Sequence, residues 1–265
     1  MTMPPGTTTV TATIHDPARG RAHARARTLK RVQSGREPRV VNIDDTALLR
    51  LCHLVSPALP VGAYAYSQGL EYAVHAGWVH DEASMAEWLH GLSRHALATL
   101  DLPVLARLHA AWSRADDAGA AAWNSRLIAA RETAELRAED LHLGRALARV
   151  LVELGIDAAR AWRGEASPSF AMMFALAAAH WSIPVPSTLG GYLWTWAENQ
   201  VLAAVKLVPL GQSAGQRLLH GLIADIPPLV EHARALPDAD IGVGAIAQAL
   251  ASARHETQYT RLFRS

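Results

Sequence analysis

From Asp44 onward the apolar residues recur with a helical period, and nowhere with the strict alternation of a half-buried strand. The clearest stretch is Ala83–Leu100, where Met85, Trp88, Leu89, Leu92, Ala96 and Leu100 share one face. Asp44 or Thr46 can cap a first helix that Pro57 and Pro60 end, and Ser67 can cap a short helix that stops at Gly77. Pro103 fits early in the next helix, where a missing N–H is tolerated. Further helices are predicted near 118–132, 135–154, 168–181, 188–207, 211–224, 227–235 and 241–254. Connections are short and no Gly/Ser linker interrupts them. The pattern predicts an all-α, single-domain bundle of about ten helices over residues 43–265.

Residues 1–42 break this pattern. They lack a sustained apolar period and carry eight Lys/Arg against Asp16 and Glu37, whereas the rest of the chain carries 17 basic and 22 acidic residues. A disordered Arg-rich extension on a mildly acidic helical body is expected. An RNA- or membrane-binding arm is the other reading of that charge. The body itself lacks the basic face that nucleic-acid binding requires. Cys52 is the only cysteine, so no internal disulfide can form and a reducing cytoplasm fits. The start shows no apolar core of a secretory signal. The most apolar window, residues 170–179, falls short of the roughly 18 residues of a membrane span.

Familiar catalytic patterns are absent. There is no phosphate-binding Gly-x-x-x-x-Gly-Lys-Ser/Thr loop, no dinucleotide Gly-x-Gly-x-x-Gly unit, no Gly-x-Ser-x-Gly elbow and no Cys/His zinc spacing. Two Glu-x-x-His pairs, Glu87/His90 and Glu139/His142, have the spacing of di-iron carboxylate bundles, which makes a helical metal-dependent oxidase one alternative. Against it, the apolar stripe of 83–100 lies opposite Glu87 and His90, and no lone glutamate on a separate helix precedes the second pair. Cys52 and His53 are adjacent and could touch a borderline metal, but neighbouring helical residues diverge by about 100°. A buried Cys and a satisfied His are the simpler reading. No catalytic, cofactor or resident metal residue is assigned.

Three segments remain unusual. Ser56–Glu71 holds Tyr64 and Tyr66 at a proline-stiffened turn, either a buried structural turn or a contact surface. Val205–Gln212 carries Lys206, the only lysine after residue 30, at the end of a helix apolar almost all round apart from a narrow strip of Thr195, Asn199 and Lys206. That lysine is either a partner contact or a snorkelling side chain at a helix end. His255–Ser265 places Tyr259, Leu262 and Phe263 at helical spacing among Arg254, Arg261 and Arg264. Aromatics with arginine are the residue types of interface hot spots, so the tail is either a docking element or a last helical turn packed on its own core.

Together these segments resemble the urease accessory protein UreF family. The likeness runs through Ser-Pro-x-Leu-Pro-Val-Gly-x-Tyr-x-Tyr-Ser-x-Gly-Leu-Glu at 56–71, Ala-Ala-Val-Lys-Leu-Val-Pro-Leu-Gly-Gln at 203–212, and the His-Glu…Arg-Leu-Phe-Arg-Ser terminus. It covers about residues 46–265 and carries nothing to residues 1–42. The resemblance implies an all-α homodimer that helps insert nickel into apo-urease, bridging the nickel-carrying GTPase UreG and the scaffold UreD (also called UreH). It implies a GTPase-facing set of Tyr64, Tyr66, Ser67, Glu71, Lys206, Pro209, Leu210 and Gln212, with Lys206 gating GTP hydrolysis. It implies a scaffold-facing set of His255, Glu256, Tyr259, Arg261, Leu262, Phe263 and Arg264. Nickel is expected in transit rather than stably bound, with no enzymatic activity in the chain itself. A generic dimeric interaction module is the remaining alternative.

Overall fold

The computed structural model describes residues 43–163, 167–242 and 244–265. The extension expected over 1–42, and its boundary with the helical body, lie outside them. Among the described residues the architecture is all-α, as the pattern predicts. In chain order the helices are α1 (Asp45–Leu54), α2 (Leu70–His75), α3 (Glu82–Leu92), α4 (Leu102–Ser113), α5 (Asp117–Ala129) and α6 (Ala134–Glu153). They continue as α7 (Phe170–His180), α8 (Val185–Leu207), α9 (Gln212–Ile223), α10 (Ile226–Ala235) and α11 (Ile246–His255). No helix among the described residues is long and apolar enough to cross a membrane.

Side-chain caps set several of the starts. Asp44 accepts from the Ala47 N–H, Thr133 from Leu136 and Ser169 from Met172. Asp81 and Ser84 form a reciprocal capping box at α3. The centre of the bundle is α7, whose residues from Phe170 to Ala178 are all buried. A helix apolar on every side has no solvent face to offer, so it goes to the middle. There it packs on α4, α6 and α5. Close approach needs a small residue on α6: a Cβ at Gly144 would stand 2.0 Å from the Pro168 carbonyl oxygen.

The stretch from α3 to α4 differs from expectation. Instead of two helices it is one rod, joined by a π-helical segment, Ser93–Asp101. Within it the Leu102 N–H reaches back to the Leu97 carbonyl. Pro103 supplies the cause, because it has no N–H for the preceding turn and its ring crowds the carbonyls behind it. The Thr99 carbonyl accepts instead from the Gly242 N–H at 3.2 Å. That same bond explains a second difference: α11 starts at Ile246 rather than near 241, since Gly242 (φ +132°) belongs to the crossing and not to the helix.

Candidate functional site

The 56–71 segment is a succession of tight turns. Leu59 N–H donates to the Ser56 carbonyl and Val61 N–H to Leu59, after which Gly62 takes φ +84° and a short 3₁₀ turn spans Ala63–Ala65. The two tyrosines separate here. Tyr64 is 67% exposed, while Tyr66 is buried with its ring 6.0 Å from that of His142. Gln68 and Gly69 then both adopt positive φ, 56° and 85°, and swing the chain into α2. Glycine is required at 69 because a Cβ would stand 2.9 Å from the Ser252 nitrogen of α11. Gly69, not Ser67, is therefore the residue that precedes α2. The Ser67 hydroxyl still accepts from the Glu71 N–H at 3.3 Å, but it donates to the backbone oxygen of Ser265.

The last residues are not helical, which corrects the spacing expected for Tyr259, Leu262 and Phe263. α11 ends at His255, and residues 256–265 cross the body as an irregular strap. Leu262 and Phe263 point to opposite sides: Leu262 is 66% exposed and Phe263 is 6% exposed. Glu71 is the main anchor. Its Oε1 accepts from the Leu262 N–H at 2.6 Å, and its Oε2 accepts from the Phe263 N–H at 2.8 Å. That second oxygen also lies 3.1 Å from His255 Nε2. The other ring nitrogen of His255 lies 2.8 Å from Glu135 Oε2 on α6, and Glu135 Oε1 accepts from Arg261 at 2.9 Å. Glu256 accepts from the Ala134 N–H at the start of α6. At the far end, Ser265 accepts from the Ser67 N–H at 2.6 Å and donates its hydroxyl to Glu139 Oε2 at 2.9 Å. Arg264 N–H donates to the Ala65 carbonyl.

The long helix α8 forms the floor beneath both segments. Trp196 Nε1 donates to Gln68 Oε1 at 2.8 Å, Asn199 Nδ2 to the Tyr66 carbonyl at 3.2 Å, and Gln200 Nε2 to the Ser67 carbonyl at 3.1 Å. Lys206, exposed near the end of α8, holds its ammonium 5.5 Å from the centre of the Phe263 ring. Beyond it Pro209 and Gln212 are exposed and Leu210 is half-buried. Three segments far apart in the chain therefore adjoin one another around the strap. Tyr259, Arg261, Leu262 and Arg264 face solvent, while Tyr66, Ser67, Glu71, His255 and Phe263 are buried.

Several residues of this seat were not singled out from the sequence: Gln68, Glu135 and Gln200. Glu139 was considered only as one of an acid–histidine pair. It is buried, accepts from Gln68 Nε2 at 2.8 Å and from Ser265, and burial pushes its carboxyl up to about 7. The hydrogen bonds from Gln68 and Ser265 oppose that rise, as does Arg131, while neighbouring Asp140 adds to it. Gln68 and Glu139 also line a cavity of about 80 Å³, together with Asp101, Arg131, Tyr192 and Gln248. The one available signal was spacing: Glu135 and Glu139 lie one turn apart and face the same seat.

The metal-ligand spacings separate in space. Glu87 is exposed, His90 pairs with Asp225 at 2.8 Å, and His142 lies against Tyr66 rather than beside the Glu139 carboxyl's partners. Cys52 is exposed on α1, where a buried thiol was the simpler expectation. Among the described residues, no three His, Cys, Asp or Glu side chains converge as a metal-holding group.

A family model described as UreF matches residues 79–223, a span that contains Lys206 and stops short of the strap. The urease accessory protein UreF of Alkalilimnicola ehrlichii is 51% identical over 216 residues, covering 82% of this chain and 95% of the relative. That of Azoarcus sp. is 51% identical over 223 residues, covering 82% and 95%. That of Pseudomonas putida is 51% identical over 222 residues, covering 83% and 99%. With this much of each relative aligned at such identity, the chain belongs to the UreF family of urease accessory proteins.

Proposed function

We propose that this protein is a cytoplasmic, homodimeric adaptor that helps load nickel into apo-urease by bridging the GTPase UreG and the scaffold UreD/UreH. The observation that carries the reading is the strap. Its inner residues are tied to Glu71, Glu135 and Glu139, so its outer residues, Tyr259, Leu262 and Arg264, are presented on a backbone that is already ordered. A pre-ordered segment loses little conformational entropy on docking, and aromatic and arginine side chains contribute strongly to interfaces. We assign this outer face to the scaffold. The exposed end of α8, with Lys206, Pro209 and Gln212, is assigned to the GTPase, together with Tyr64. Tyr66, Ser67 and Glu71 then support those faces from beneath rather than touching a partner. No phosphate-binding loop occurs in the chain, so GTP chemistry belongs to the partner, and Lys206 acts on it from outside. Nickel passes through the assembly without a resident site in this chain.

Co-expression with UreG and UreD tests the reading. A ternary complex that survives size-exclusion chromatography at micromolar protein is expected, and its absence overturns the adaptor role. Lys206→Ala should leave that complex intact and reduce urease activation; normal activation removes Lys206 from the mechanism. Stoichiometric iron in the purified protein would favour the oxidase alternative instead.

A further inference from the structure

Arginines from α6 and from the strap meet on one small area of the surface with no carboxylate facing them. On α6, Arg145 and Arg149 follow His142 by three and seven residues, a spacing that lines all of them along one face. The strap adds Arg264. Its N–H donates to the Ala65 carbonyl at 2.9 Å, and the next residue of that turn, Tyr66, rests its ring 6.0 Å from that of His142. Arg149 and Arg264 are exposed, and Arg145 is half-buried. Elsewhere in the fold Arg107, Arg131, Arg217 and Arg261 each reach a carboxylate. Among the described residues, no ion pair and no side-chain hydrogen bond takes up the guanidinium of Arg145, Arg149 or Arg264. The acids that flank them on α6 do not supply one. Glu139 and Asp140 are buried and committed to Gln68, Ser265 and Arg131, and Glu153, one turn beyond Arg149, makes no pair. The imidazole of His142 registers the resulting field: it is held below its ordinary range first by burial and then by Arg264, Arg149 and Arg145.

We propose that Arg145, Arg149 and Arg264 form a cationic docking facet that receives a carboxylate-rich segment of a partner protein. Like charges one turn apart on a helix repel, so the arrangement is unfavourable in the free chain and is relieved when carboxylates bridge it. Each guanidinium presents a planar fork that matches a carboxylate. On α6 the two forks stand about one helical pitch, roughly 5.4 Å, apart, within the span of neighbouring acidic side chains. A nucleic-acid strand suits the facet less well. Phosphate recognition follows a backbone along an extended basic track, and single strands add stacking on exposed rings. Here the cationic area is short, the Tyr66 ring beside it is buried, and from residue 43 onward the chain carries 17 basic against 22 acidic residues. The bond from Arg264 to Ala65 makes the facet complete only while the strap is seated. This inference does not depend on the adaptor reading, because it rests on unpaired cations within one chain.

The test is NMR on the full chain, with a tetraglutamate peptide as the probe and the arginine Nε–H signals as the readout. Resolution by site is needed because residues 1–42 carry eight Lys/Arg that attract such a peptide on their own. The Arg145, Arg149 and Arg264 signals should shift together along one saturation curve. Raising the salt from about 50 mM to about 300 mM should weaken that binding roughly tenfold. In Arg149→Gln, which removes an exposed side chain with no internal partner, the Arg145 and Arg264 signals should need about fivefold more peptide to reach half their shift. Arg94→Gln, at an exposed arginine paired with Asp225, should leave the curve unchanged. Absence of a shift at the facet signals, or a curve that Arg149→Gln leaves unchanged, overturns the proposal. An oligothymidylate of equal charge that moves the same signals at lower concentration also overturns it, and makes the facet a nucleic-acid site.

Discussion

α7 and the C-terminal strap are both packed into the same bundle, yet they are held by opposite chemistry. α7 is buried from Phe170 to Ala178 almost wholly by apolar contact; Asp140 accepts from the Phe170 N–H at its start, and Trp112 Nε1 donates to the Met172 carbonyl. The strap has one inserted apolar side chain, Phe263, and is otherwise held by three glutamates, a buried histidine and two serines. Apolar packing is tolerant of small changes in shape and nearly indifferent to pH. A buried charge cluster is neither, because removing one member leaves the others desolvated and unpaired. The comparison teaches that burial serves two purposes in this molecule: in α7 it makes the fold, and in the strap it fixes the chain's last residues through a few polar anchors.

The contrast can be broken first at its apolar side. Phe174→Ala opens a cavity in the centre and should cost about 3–5 kcal/mol in urea unfolding, with similar loss at pH 6 and pH 8. On the polar side, Glu71→Gln keeps the shape but weakens the hold on His255 and two strap amides. It should cost about 2–3 kcal/mol, and exchange at Leu262 and Phe263 should rise before the helices melt. Equal loosening of α7 and strap in Glu71→Gln would erase the distinction.

Glu139 sharpens it through pH. Its carboxyl is raised from 4.5 to about 7, so the folded state holds a proton that the unfolded chain has released between those values. Its folding contribution is present in full below about pH 4.5 and is lost as the pH rises through about 7. Glu139→Gln removes that dependence. The variant should be more stable than the wild type by about 1–3 kcal/mol at pH 8, with the gap closing toward pH 5, as read by denaturation midpoints. No gap at pH 8 would mean that Glu139 keeps its ordinary acidity in the seat.

The apolar side of this comparison was legible in the sequence, and the polar side only in outline. The 3.6 period and the caps located the helices, and the strip of Thr195, Asn199 and Lys206 on α8 marked the face that the turn and strap adjoin. Two local features escaped for different reasons. Pro103 reads as a tolerated early helical residue, yet its missing N–H turns the segment before it into a π-helix and leaves the Thr99 carbonyl to Gly242, while the non-helical strap depends on Glu71 capturing two amides from nearly 200 residues away. The tail's residue types read equally as a docking element or a packed helix end. In the folded chain the tail is not a helix end: it packs inward through His255, Phe263 and Ser265, while Tyr259 and Leu262 remain outside. Sequence spacing could not divide them, because alternation along an irregular strap follows its anchors and not a helical period.

The most direct test of the account is a double substitution on the outer face, Tyr259→Ser with Leu262→Ser. Both side chains are exposed, so thermal stability should stay within about 0.5 kcal/mol of wild type and the strap amides should keep their protection. Capture of UreD in co-expression should be lost. A variant that still captures UreD at wild-type levels would contradict the claim that the seated strap presents the scaffold-binding face.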